Sequence, residues 1–214
     1  MTPASANAGR FDAVAAARAI VPELERVSAA AEDRRQLDDA AIAAMRDAGL
    51  ARMLAPRRFG GLERPVSEHI RACTVLAHGC SAASWVHMVC AAHTFVVGRY
   101  PERCQEEVFG DTPDVLIPGT LAPQGRARRV DGGWRLDGRW QFGSGVDHGP
   151  WLLIGAQAVA EDGETPAPPI HVVVPTADII VDDTWFTLGM RATGSKDLVA
   201  EDVFVPHHLS LIHI

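Results

Sequence analysis

The stretch Glu102–Thr120, ERCQEEVFGDTPDVLIPGT, decides the reading of the fold, because the periodicity of the chain changes inside it. Up to Phe109 the apolar residues recur at steps of three and four, the spacing of one helix face. Beyond Gly110 come short runs rich in Val, Ile and Trp, punctuated by Gly and Pro, as strands are. The fold class is therefore α+β: an all-α unit over residues 1–110, then an antiparallel β-barrel or sandwich over 111–206. Residues 207–214 read as a tail of doubtful origin, because VFVPHHLSLIHI stops just after a strand without a closing element.

Upstream of the switch, Phe11, Val14, Ile20, Val21, Leu24 and Val27 mark one amphipathic helix. Asp38 or Asp39 starts a second, with Ile42 and Met45 inward and Gly49 placed to end it. ARMLAPRRFGG reads as an extended segment closed by a turn. Ser67 and Ser81 are candidate caps for a third and a fourth helix. The fourth is apolar nearly all round, as a buried helix is, and Pro101 suits the start of a short fifth. Downstream, DVLIPGT, RARRVDGG, WRLDGRWQF, WLLIGAQAV, PIHVVVP, DIIVDDTWF and DLVAEDVFVP read as about seven strands. Asp131-Gly132-Gly133 is a hairpin signal.

The 214 residues include 20 Lys+Arg against 27 Asp+Glu, a net charge of −7. An acidic chain repels phosphate backbones, so no nucleic-acid partner is expected. The apolar runs reach about half of the roughly twenty residues a membrane span requires, so no membrane role is expected. The start, MTPASANAGRFDAV, lacks the features of an export signal, and Cys73, Cys80, Cys90 and Cys104 form no CxxC pair. A cytoplasmic location with reduced thiols is the expectation.

GxGxxG, GxxxxGK[ST] and GxSxG are all missing from the contexts that give them chemical meaning. His69 and Cys73 lie one helical turn apart, but no further ligand follows at comparable spacing, so no metal is expected. Three segments hold more. Ser84–His93 places Trp85 and His93 within about a quarter-turn of one helix face. Gly138–Trp151 runs a Trp-x-Phe strand into Gly143-Ser144-Gly145, where glycines admit a flat ligand to the backbone. Thr187–Pro206 reads as a turn feeding an edge strand, with Arg191 solvated or salt-bridged.

Together these segments resemble the acyl-CoA dehydrogenase superfamily from Phe11 to Pro206. The motifs GLARMLAPRRFGG, LDGRWQFGSG and LGMRATGSKDLVAEDVFVP stand in that family's order. HGCSAASWV, the Trp85/His93 spacing, RRVDGGWRLDGRW and SGVDHGPW look most like the oxygenase component of two-component flavin-dependent aromatic monooxygenases. The resemblance implies reduced flavin, FMN before FAD, supplied by a separate flavin reductase. It implies oxygen transfer through a C4a-hydroperoxyflavin to a small phenolic or related aromatic substrate.

It also implies roles. Ser144, with Gly145 beside it, would meet the flavin N5, and Phe142 would pack on the ring. His93 would be catalytic, binding the phenolic oxygen, with Trp85 and Thr120 as further substrate-binding residues. Gly119 departs from the small hydroxyl residue expected there. Members of the family are about twice as long and form homotetramers through a C-terminal four-helix bundle, so a truncated chain is expected. Two other readings stay open: a flavin-dependent dehydrogenase of acyl thioesters, and an inactive fragment that binds flavin poorly.

Overall fold

The computed structural model describes residues 11–211. Residues 1–10, which carry most of the stretch read for export signals, and 212–214 of the tail lie outside the described residues. Five helices come first: α1 (Ala13–Arg34), α2 (Asp39–Asp47), α3 (Val66–Gly79), α4 (Ser81–Val97) and α5 (Glu102–Phe109).

Asp12 caps α1, its carboxylate accepting from the Val14 and Ala15 amides at 3.1 and 3.0 Å. The buried face of α1 is Ala13, Ala17, Leu24, Val27 and Ala31, while Val14, Ile20 and Val21 are only half-buried. Small residues take over because α1 and α3 pack backbone to backbone: a Cβ on Gly79 would stand 2.7 Å from the Val21 carbonyl oxygen. Asp38 caps α2, Ile42 and Met45 are buried, and Gly49 follows at φ +73°.

Several expectations need correction. Ser67 and Ser81 lie inside their helices, and Pro65 and Cys80 hold the cap positions. ARMLAPRRFGG is not extended. Its Pro56 and Gly60 fold it into turns around a 3-10 segment, Arg57–Phe59, closed by Gly61 N–H to the Pro56 carbonyl at 3.1 Å. DVLIPGT and RARRV are not two strands, because pairing begins at Gly119 and runs on as one.

The strands are β1 (Gly119–Val130), β2 (Gly133–Gly143), β3 (Trp151–Val159), β4 (Ile170–Pro175), β5 (Ile180–Asp182), β6 (Lys196–Pro206) and β7 (Ser210–Leu211). They form one mixed sheet in the order β5-β6-β2-β1-β3-β4-β7, curled so that β4 meets β6. Asp131-Gly132 turns β1 into β2 as the hairpin signal indicates, with Gly132 at φ +76°. All pairings are antiparallel except β1–β3, which departs from a wholly antiparallel domain. β2 ends where β1 begins, so the short link to β3 crosses that end and β3 then runs alongside β1. β6 is no edge strand, since β5 and β2 flank it. Part of the tail joins the sheet as well: Ser210 and Leu211 pair with Val172 and His171 of β4.

Helix gives way to strand after Phe109, but the cores divide earlier. Val96, Val97, Tyr100, Cys104, Val108 and Phe109 pack with the sheet around Trp140 and Leu152. The other core joins α1–α4 and takes in Leu116 and Ala192 from the strand half. Helix α4 thus belongs to both cores, and the loops of the β-domain rest on it.

Candidate functional site

β2 carries a bulge between Trp140 and Gly143, and within it Phe142 takes φ +69°. That left-handed conformation costs a non-glycine residue on the order of 1 kcal/mol or more. It turns the Phe142 ring outward, 55% exposed, edge-on to Trp185 at 6.0 Å between centroids. The next turn sets Ser144, 4% exposed, under a cavity of about 330 Å³. Trp85, Phe142, Ser144, Trp185, Met190, Thr193 and Ser195 line it.

The polar groups of this cavity form a chain with a determined direction. Trp85 Nε1 donates to Ser144 Oγ at 3.0 Å, since an indole N–H can only donate. At the far end Thr193 Oγ1 donates to the Met190 carbonyl at 2.9 Å. Each hydroxyl has one hydrogen. Ser195 must therefore donate to Thr193 at 2.6 Å, and Ser144 to Ser195 at 2.7 Å. Ser144 Oγ is left with one free lone pair and no hydrogen, so what it offers the cavity is an acceptor.

Two elements hold this geometry. Gly145, at φ +77°, lies directly on α4, where a Cβ would stand 2.7 Å from Val86 Cγ1. Its amide donates to the Thr193 carbonyl at 2.8 Å, joining the loop after β2 to the 3-10 turn Arg191–Thr193. The end of α1 clamps that second loop. Glu32 accepts from the Arg191 and Ala192 amides at 2.9 and 3.2 Å, so Arg191 serves through its backbone. Arg35 grips Asp183 in a fork of two 2.7 Å bonds, donates to the Trp185 carbonyl, and lies over the Phe186 ring.

The structure therefore unites Trp85, Phe142, Ser144 and Gly145, and sets His93 and Thr120 apart. His93 lies two turns beyond Trp85 on α4, roughly 12 Å along the axis, 5% exposed and not in the lining of this cavity. Its Nδ1 donates to the Ile117 carbonyl at 2.8 Å, which leaves Nε2 as the acceptor. Burial pushes its pKa down to about 4, against the pull of the Ile117 and Pro118 backbone, so the ring is neutral at pH 7. Thr120 stands half-buried at the start of β1, three residues past Ile117, whose carbonyl holds His93. The glycine before it is enforced: at φ +131°, a Cβ on Gly119 would sit 2.1 Å from the Leu153 carbonyl oxygen. No hydroxyl residue fits there.

Trp185, Met190, Thr193 and Ser195 were not foreseen as site residues. Thr193 and Ser195 stand inside the quoted motif LGMRATGSKD, but their link to Ser144 spans 51 residues and no local pattern announces it.

A helical unit, then a curled mixed sheet whose strand-end loops build an aromatic cavity against one buried helix, is the acyl-CoA dehydrogenase architecture. Residues 13–101 match the family model described as acyl-CoA dehydrogenase, N-terminal domain. Residues 13–101 thus carry the N-terminal domain of the acyl-CoA dehydrogenase family, and most of the chain is similar to oxygenase components of flavin-dependent aromatic monooxygenases. It is 34% identical over 189 residues to the flavin-dependent monooxygenase oxygenase subunit HsaA of Mycobacterium tuberculosis, covering 88% of this chain and 48% of that protein. It is 36% identical to the oxygenase component of the FADH2-dependent resorcinol hydroxylase of a Rhizobium species, covering 88% and 46%. XiaF from a Streptomyces species, solved with FADH2 and glycerol, superposes with a TM-score of 0.89 at 35% identity, covering 95% and 51%. The chain spans about half the length of the curated relatives it matches.

Proposed function

We propose that this chain is the flavin- and substrate-facing part of the oxygenase component of a two-component monooxygenase, acting on a phenolic or related aromatic compound. One observation carries the reading: the hydroxyl chain turns Ser144 Oγ into an acceptor aimed at an aromatic-lined cavity. Reduced flavin bears a hydrogen on N5 and so offers a donor, whereas oxidised flavin offers only a lone pair there. The residues present thus fit the reduced cofactor. When bound, it supplies the activation of molecular oxygen and its transfer to the ring.

The chain's own residues hold and shield. Ser144 accepts from the flavin edge, and Trp85 fixes the Ser144 rotor from the other side. Phe142 and Trp185 give flat apolar contact and exclude water. His93, held neutral by burial, accepts the phenolic hydrogen at Nε2 and raises electron density on the ring to be attacked. Thr120 borders the same substrate position.

Three wider expectations accompany this reading. A separate reductase delivers the flavin, and FADH2 is favoured over FMN because both the resorcinol hydroxylase and XiaF are named with it. Ile180, Phe186 and Leu188, large apolar side chains left exposed on and after β5, support association with a further protein surface, a homotetramer being the assembly the family resemblance implies. A cytoplasmic location is supported by four free, buried cysteines. Among the described residues no helix is long and apolar enough to cross a membrane.

Anaerobic titration with reduced and oxidised FAD and FMN tests the site. The reduced form binds about tenfold more tightly, the worth of one hydrogen bond of roughly 1.4 kcal/mol, and Ser144→Ala erases the difference. Equal affinity for both redox states in the unaltered protein would overturn the proposal.

A further inference from the structure

On the side of α4 away from the cavity, the fold completes a group that the sequence leaves in pieces. His69 and Cys73 lie one turn apart on α3, and α4 brings His87 against them. One ligand atom from each of the three residues lies within 4.8 Å of the other two. Cys73 Sγ is 3.8 and 3.7 Å from the two ring nitrogens of His69. A tetrahedral zinc ion, with Zn–S near 2.3 Å and Zn–N near 2.0–2.1 Å, sets a sulfur-to-nitrogen edge of about 3.6 Å to the bound nitrogen alone, so the His69 ring turns one nitrogen toward the ion on binding.

The second observation is independent of the cluster's composition. His87 is 1% exposed, and neither of its ring nitrogens has a hydrogen-bond partner. Buried polar atoms are nearly always paired, so two orphans on one ring facing a thiol and a second imidazole demand a cause. A cation on the His87 lone pair supplies it for one of the two.

We propose that His69, Cys73 and His87 form a binding site for a zinc-type metal ion that staples α3 to α4. Mixed nitrogen and sulfur donors suit a borderline-soft d10 ion, and the fourth position is open to a water or another small ligand. Binding takes the ion onto the Cys73 thiolate and releases the thiol proton to solvent. In the metal-free protein, burial instead pushes the Cys73 thiol up to about 12 and the His87 imidazole down to about 3, both in their neutral forms. The inference does not depend on the flavin reading, since the cluster lies across α4 from the cavity.

Cobalt(II) tests it, because a cobalt–thiolate bond gives a near-ultraviolet charge-transfer band that imidazole alone does not. The 214-residue chain is refolded with Co2+, as a buried ion enters most readily during folding. One equivalent per chain, with the band present and displaced by Zn2+, supports the site. Cys73→Ser and His87→Leu should each lower affinity at least tenfold, while Cys104→Ser should keep the band. His87→Leu is the safeguard for folding, since it replaces two orphan nitrogens with a methyl-bearing side chain of similar size. No band in the unaltered chain, or a band that survives Cys73→Ser, would overturn the proposal.

Discussion

Helix α4 presents two contrasting polar regions only two residues apart. Trp85 looks toward the β-domain, and His87, about 200° around the axis, looks toward α3. On the Trp85 side every hydroxyl has a place in a one-way chain ending on the Met190 carbonyl. On the His87 side two nitrogens are left over. The difference shows how a fold can mark a binding function in two ways. One region is saturated inside and turns its last lone pair to the cavity; the other is unsaturated inside and has a lone pair to give a guest.

Acid should break the comparison most strongly. Folding holds His87 near 3 and His93 near 4, both below the ordinary value of 6.5. The unfolded chain therefore binds more protons between those values and about 6.5, and stability falls as pH falls through that window. From pH 7 to pH 5 each histidine costs about 2 kcal/mol, so urea midpoints should drop steeply over that range. His87→Leu should remove part of the drop, His93 and the likewise lowered His69 and His148 carrying the rest. The hydroxyl chain has no titrating member, and an unchanged midpoint at pH 5 would show that these rings are hydrated.

Gly145→Ala comes next. It forces a Cβ against Val86 at φ +77°, at a cost of roughly 2–3 kcal/mol. Thermal melting should show the loss, and a loop unseated from α4 should weaken flavin affinity with it. Smallest is Ser195→Ala, which interrupts the chain and costs about 1 kcal/mol. Its distinctive sign is redox: Ser144, freed to point its hydrogen elsewhere, should lose part of its preference for reduced flavin.

What could be read in the sequence was whatever neighbours in the chain decide. The Asp38 cap, the turn at Gly49, the Asp131-Gly132 hairpin and the buried character of α4 all follow from residues a few positions apart. The Gly143-Ser144-Gly145 loop was legible as a place where a flat ligand could approach. Its partners were not, because Ser195 lies 51 positions away and Glu32 reaches Arg191 across 159. His69 and Cys73 could be paired by helical spacing, yet His87 meets them only through the packing of α3 on α4. The β1–β3 parallel pairing escaped for a related reason: alternation tells a strand's faces, not its neighbour's direction.

The clamp at the end of α1 has a consequence for how the molecule comes together. Glu32 and Arg35 hold the loop that carries Trp185 and Met190, so one wall of the cavity rests on the first helix of the chain. That wall cannot settle until contacts 159 positions apart in the chain have formed, a slow and entropically costly closure. The binding surface in this sense depends on helix α1 and the loop before β6 having found each other.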